Sequence, residues 1–172
     1  AGTPLKALML DQVNQLKGKA NYNKVAFINS DISIVERDEI LKEVHNGQIN
    51  ILYLAPELLL SYDISYFLDK RRLGLYIVDE AHTVTTWGRD FRVDYWYLGY
   101  HINKVRKYAK DQNNKNLKFV VVAVTATAPY GKTHDVVFET LKSLQMPYCK
   151  KYIGYARRDD ITFEINHVNI EG

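Results

Sequence analysis

Cysteine is almost missing from these 172 residues. The only one, Cys149, excludes an intramolecular disulfide and a cysteine-cluster zinc site. A reducing, cytosolic setting is consistent with that, so a cytoplasmic location is expected. No basic stretch precedes the apolar residues of the opening AGTPLKALML, so no signal peptide is visible. The longest apolar runs fall far short of a membrane span, which argues against a membrane partner. There is no internal repeat, no low-complexity tract and no linker before the last twenty or so residues. A start methionine is also missing, and a helical pattern begins almost at once, so a piece of a longer chain is expected.

What remains is an ordinary globular composition, 47% hydrophobic and 25% charged, on a length that suits one domain with a sizeable core. The formal charge of +3 permits a nucleic-acid partner without arguing for one. Thirteen tyrosines dominate the aromatics, and most are expected to be structural.

Leu5, Met9, Val13 and Leu16 recur at helical spacing and predict a helix over 5–17, with Pro4 tolerated at its start and Gly18 at its end. Val25 to Ile28 reads as a short strand. Ser33 with Glu36 three residues on is a capping-box pattern for a helix reaching about His45. Ile49 to Leu54 reads as a strand, 57–71 as short helical pieces, and Leu73 to Val78 as the next strand. Tyr95, Leu98, Ile102 and Val105 predict a helix to about Lys110. Leu117 to Val124 is a continuous apolar run, fit for a strand buried on both faces. Val137, Leu141 and Leu144 mark a last helix, and Tyr148 to Ile153 reads as a further strand. Such alternation predicts an α/β fold with a parallel sheet and right-handed crossovers.

Chemistry concentrates between Leu73 and Gly99. The apolar run ends in two carboxylates, Asp79 and Glu80, followed by Ala81 and His82. Open α/β sheets build their sites at such carboxyl ends of strands. In nucleotide-hydrolysing sheets one strand-end acid holds magnesium and its neighbour orients or activates water. The alternative is a pair of acids that merely cap a turn. An aromatic and cationic cluster comes next, with Trp87, Arg89, Phe91, Arg92, Tyr95 and Trp96. Exposed aromatics stack bases at about 1–3 kcal/mol each, without sequence preference. Arginines add phosphate contacts and salt dependence. Trp87 and Phe91 could instead be core residues that anchor a loop, and Arg92 could pair with Asp90 or Asp94.

LYIVDEAH, ending at His82, resembles motif II of the superfamily 2 helicases, and the whole constellation resembles their RecQ-like branch. PLKALMLDQVNQL (4–16) is similar to that branch's motif Ia and ILYLAPELL (51–59) to its motif Ib. WGRDFRVDY (87–95) is similar to its aromatic-rich loop and AVTATA (123–128) to motif III. The resemblance implies a RecA-like parallel sheet with helices on both faces, of the P-loop NTPase type. It implies a partial first motor lobe over 1–153, and an exit segment over 154–172 toward a second lobe of the same parent chain. It also implies ATP and Mg2+ as cofactors and ATP-driven 3′-to-5′ unwinding of DNA. The partners would be single-stranded DNA and duplex/single-strand junctions, in repair, recombination or defence, with association to the nucleoid in a bacterium.

Residue by residue, the resemblance makes Asp79 the magnesium-binding acid, through water, and Glu80 the activator of the attacking water. His82 with Thr125, Ala126 and Thr127 would couple nucleotide state to movement between lobes. Trp87, Arg89, Phe91 and Arg92 would sense single-stranded DNA, and Lys6, Asp11, Gln12, Pro56 and Glu57 would line or shape the DNA path. Lys6 is more often a solvated helix residue than a ligand, and Thr125-Ala126-Thr127 could be an ordinary strand exit.

The pattern also departs from the family. Gly131-Lys132-Thr133 is not a phosphate loop, because the glycine required five positions before Gly131 is replaced by Ala126. The P-loop of the family lies upstream of motif Ia, so it is expected before Ala1, and the 172-residue chain alone is expected not to hydrolyse ATP. Thr83-Val84-Thr85-Thr86 replaces the family's usual Cys-Ile-Ser-Gln, and Val93 stands where proline is usual. A second class of function stays open: a non-catalytic nucleic-acid-binding or assembly module that kept the fold, against which the joint presence of Asp79, Glu80 and His82 argues. A third is an RNA helicase, against which the Thr-Ala-Thr run and the aromatic loop argue.

Overall fold

A computed structural model of the chain describes residues 4–84, 97–111, 119–126, 135–146 and 148–154. The first helix, α1 (Pro4–Gly18), buries Met9 and Val13, two positions of the apolar stripe that predicted it. It leads to strand β1 (Val25–Ile28) and then helix α2 (Ile34–His45). Ser33 caps α2, accepting the Glu36 backbone N–H on its side-chain oxygen at 3.1 Å. Such a cap satisfies one of the donors that a helix start leaves free. Strand β2 (Ile51–Leu54) follows, starting two residues later than its apolar run suggests, and pairs in parallel with β1 from Val25–Ile51 to Ile28–Leu54.

Two short helices, α3 (Leu58–Ser61) and α4 (Ile64–Leu68), come next. Phe67 is fully buried, with Tyr62 and Tyr66 edge-on against it and stacked on each other at 4.5 Å. Arg37 of α2 donates to the Tyr62 hydroxyl at 3.0 Å and lies over its ring, which ties α2 to this aromatic group.

Strand β3 (Leu75–Val78) runs into a single 3-10 turn, Ala81–Val84. Helix α5 (Leu98–Asp111), strand β4 (Val120–Ala123) and helix α6 (Val136–Ser143) complete the described elements. β3 and β4 pair in parallel from Leu75–Val120 to Val78–Ala123. The parallel α/β class is therefore as expected. The described strands form two parallel pairs, β1–β2 and β3–β4. An open cleft of about 800 Å³ separates them, lined by all of β2 and β3 and by Met9 and Gln12 of α1.

Two expectations need correction. β4 is not buried on both faces. Val120 and Val122 are exposed, and so are their register partners Leu75 and Ile77 on β3. The opposite face of the pair, carrying Tyr76, Val78, Val121 and Ala123, packs on Leu98, Ile102 and Leu144. An unbroken apolar run shows that both faces suit burial; it does not supply the second cover. Tyr148 to Ile153 is not a strand: no described strand pairs with it, and Tyr148 and Tyr152 stand almost fully in solvent. Among the described residues no helix is long and apolar enough to cross a membrane.

The contact of α5 with the end of α6 leaves no room at Gly99, where a methyl group would collide with the Ser143 carbonyl oxygen. Gly74, just before β3, has open space around it. Gly99→Ala is therefore expected to lower unfolding free energy by about 1–3 kcal/mol, as overpacking does. Gly74→Ala should stay within about 0.5 kcal/mol. Urea unfolding of the two variants checks both.

Candidate functional site

Where β3 ends, the backbone makes a sharp turn. Val78 accepts a hydrogen bond from the Val124 amide at 2.9 Å, and Ala81 donates to the Val124 carbonyl at 2.9 Å. Between these two anchors lie Asp79 and Glu80. Glu80 sits at φ +47°, in the left-handed region. For a residue other than glycine that costs on the order of 1–2 kcal/mol. Thr83 offsets it by closing the turn, both its amide (2.9 Å) and its hydroxyl (2.8 Å) donating to the Glu80 carbonyl. Ala81 and Val84 are buried beneath. The two acids are thus held at the carboxyl end of the β3–β4 pair.

Asp79 is exposed, yet each of its carboxylate oxygens has a donor. Oδ1 accepts the Glu80 backbone N–H at 2.9 Å, and Oδ2 accepts the Gln12 side-chain amide at 3.2 Å. Glu80 keeps 42% of its side chain exposed, and its Oε2 lies 3.3 Å from His82 Nδ1. The same Nδ1 lies 2.7 Å from Thr125 Oγ1, at the exit of β4. Residues spread over more than a hundred positions, Gln12, Asp79, Glu80, His82 and Thr125, therefore meet at one edge. Ala126 follows there, exposed.

Of the other expected site residues, Pro56 is buried and Glu57 accepts from the Ser30 hydroxyl at 3.4 Å, joining the exits of β1 and β2. Lys6 lies on α1, with its side chain outside the described set. Asp11 accepts from Gln15 one turn along, at 2.6 Å. Trp87, Arg89, Phe91, Arg92 and Thr127 lie outside the described residues, as do the Gly131-Lys132-Thr133 tripeptide and most of the expected exit segment.

Two features have little or no signal in the sequence. One is the Gln12–Asp79 contact, which spans 67 positions. The other is His101, buried on α5, with its Nδ1 3.2 Å from the Tyr76 hydroxyl and its Nε2 without a partner. Its position next to Ile102, on the stripe of Leu98, Ile102 and Val105, was the available hint. Burial pushes the Tyr76 hydroxyl pKa well up. Burial, helped by the Lys104 charge and opposed by Asp63, lowers the His101 imidazole to about 4. Lys104 itself is bonded to Asp63, which raises its pKa.

The family model described as DEAD/DEAH box helicase matches residues 2–136. The chain belongs to that family. Several relatives are named as RecQ helicases. The ATP-dependent DNA helicase RecQ of Haemophilus influenzae is 29% identical over 163 residues, covering 95% of this chain and 24% of the relative. The probable ATP-dependent DNA helicase RecS of Bacillus subtilis is 32% identical over 169 residues, 96% of this chain and 30% of the relative. The RecQ of Synechocystis is 38% identical over 149 residues, 86% and 29%. The chain thus spans under a third of the length of these curated relatives. Among solved structures, the Pyrococcus furiosus Hef helicase domain aligns with a TM-score of 0.45 at 16% identity, over 83% of this chain and 26% of that one.

For this DEAD/DEAH box chain, His101 predicts an acid sensitivity. Its folded pKa is below that of an unfolded histidine, about 6.5. The unfolded state therefore binds the extra proton first as pH falls. The stability contribution is complete above about pH 6.5 and is lost as pH drops toward 4. The size is up to about 3 kcal/mol. His101→Gln, which keeps an acceptor for Tyr76, should flatten that slope in urea titrations at pH 7, 5.5 and 4.5.

Proposed function

We propose that this chain is part of the first motor lobe of an ATP-dependent DNA helicase or translocase that moves 3′ to 5′. The observation that carries the reading is the meeting of Asp79, Glu80, His82 and Thr125 at the carboxyl end of β3–β4. Two adjacent acids there reach different targets, as nucleotide hydrolysis requires. Membership of the DEAD/DEAH box family and the names of the RecQ relatives support the same reading.

Asp79 suits Mg2+. It is a hard oxygen donor, solvent-accessible, and its oxygens keep lone pairs beyond the two they share with N–H donors. Among the described residues no cluster of three or more ligating side chains exists, so phosphate and water oxygens would complete the shell. When bound, the ion supplies neutralisation of phosphate charge. Glu80 accepts a proton from the water that attacks the γ-phosphate, and His82, on Thr125, passes the state of Glu80 to the β4 exit. Trp87, Arg89, Phe91 and Arg92 stack and clamp single-stranded DNA. Lys6, Pro56 and Glu57 belong to the DNA side of the lobe, the partners being single strands and duplex/single-strand junctions.

The test uses the full-length polypeptide. Glu80→Gln should cut ATP turnover by about 10²–10⁴-fold while ATP binding persists. Normal turnover in that variant removes Glu80 from its role. Trp87→Ala should lose most of the stimulation of ATPase by single-stranded DNA; an insoluble Trp87→Ala protein would instead mark Trp87 as core. The 172-residue chain alone, with no phosphate-loop pattern, should show no turnover. A full-length wild type without ATPase activity would favour the non-catalytic module.

A further inference from the structure

Gln12 lies in the segment read from sequence as bordering the DNA path, yet its side chain reaches the nucleotide end of β3. We infer that Gln12 is a positioning residue that fixes the Asp79 carboxylate for its metal. The inference rests on the reading of Asp79 given above and adds to it a residue from another element. α1 is anchored in the core by Met9 and Val13, which flank Gln12 on the helix. That anchoring sets where the Gln12 amide can reach. Its Nε2 donates to Asp79 Oδ2 at 3.2 Å, while the Glu80 N–H holds Oδ1 at 2.9 Å. A carboxylate held at both oxygens cannot swing about its terminal torsion, a broad and soft one otherwise. Its remaining lone pairs are then presented in one direction.

Residue type matters as much as reach. An amide donates without carrying charge. A lysine or arginine in its place would satisfy the carboxylate and compete with the cation for it. Asp11, the acid next to Gln12 in the chain, accepts instead from Gln15 one turn along. Outer partners that orient a metal-binding carboxylate typically cost 10–100-fold in metal affinity, by order of magnitude, when removed. Gln12 is partly exposed, so the lower end applies.

The experiment is Mn2+ binding, read by electron paramagnetic resonance, in the full-length protein with a non-hydrolysable ATP analogue. Gln12→Ala should bind Mn2+ about tenfold more weakly. Gln12→His, which keeps an N–H at similar reach, should stay close to wild type. Asp79→Ala should lose the site. In steady-state ATPase assays of Gln12→Ala, the Mg2+ concentration for half-activation should rise by the same factor, with a smaller fall in kcat at saturating Mg2+. Wild-type Mn2+ affinity in Gln12→Ala, with binding lost in Asp79→Ala, overturns the role of Gln12 and leaves the reading of Asp79 standing. Equal weakening in Gln12→Ala and Gln12→His also overturns it, since a donated N–H would not then be what acts. Undiminished binding in Asp79→Ala removes the reading of Asp79 itself, and the inference with it.

Discussion

Both backbone groups of Val124 are spent on one turn of a neighbouring strand. Its amide takes the Val78 carbonyl and its carbonyl takes the Ala81 amide. Only Asp79 and Glu80 lie between those anchors, one residue more than a regular parallel ladder holds, and the left-handed Glu80 accommodates the extra residue. The same clamp sets the histidine. His82 is one residue past one anchored group and Thr125 is one residue past the other, which leaves their side chains 2.7 Å apart. A single main-chain pairing thus places both acids, the histidine and the threonine. Without it the four residues would be neighbours in sequence motifs and nothing more.

The clamp is supported from one side. Val78, Ala81 and Val84 are buried together with Leu98, Ile102 and Leu144, and the close approach of Gly99 to Ser143 draws α5 and α6 together over that core. The other face of β3–β4 displays Leu75, Ile77, Val120 and Val122 to solvent. Parallel strands are commonly covered on both faces. Here the backbone that carries the acids is braced by the packed face, and the Gln12 amide reaches Asp79 from α1. Tyr76 and His101 belong to that support. Their contact lies two residues before the clamp, and burial keeps the imidazole neutral at ordinary pH.

Local pattern is legible in this sequence and long-range pairing is not. β1 and α2 fall where hydrophobic period and the Ser33 cap put them, because those signals are contained within a few residues. The strand-end acids were recognisable for the same reason: an abrupt change from apolar to charged marks a carboxyl end. Burial of β4 is not legible in this way, since Val120 and Val122 are as apolar as a fully covered strand would need and no sequence pattern says whether a cover is there. Tyr148 to Ile153 has strand-like composition without a partner strand. The Gln12–Asp79 bond was illegible on principle: a glutamine on a helix surface has many possible partners, and only the packing of α1 selects one.

The position of His82 bears on how hydrolysis and movement would be linked. Its Nδ1 faces two oxygens, the Glu80 carboxylate at 3.3 Å and the Thr125 hydroxyl at 2.7 Å. While Glu80 is ionised, a hydrogen on Nδ1 is favoured, because a bare nitrogen would meet the carboxylate lone pair to lone pair. That hydrogen is shared between Glu80 and Thr125. Once Glu80 takes a proton from water, under its proposed role, it becomes a donor itself. The histidine can then accept from Glu80 and carry its own hydrogen on Nε2. Thr125 loses a donor in that exchange, and Thr125 directly follows Val124, the residue that clamps the acids. A proton gained at Glu80 would therefore be felt at the exit of β4 through one hydrogen bond, with no displacement of the strands required.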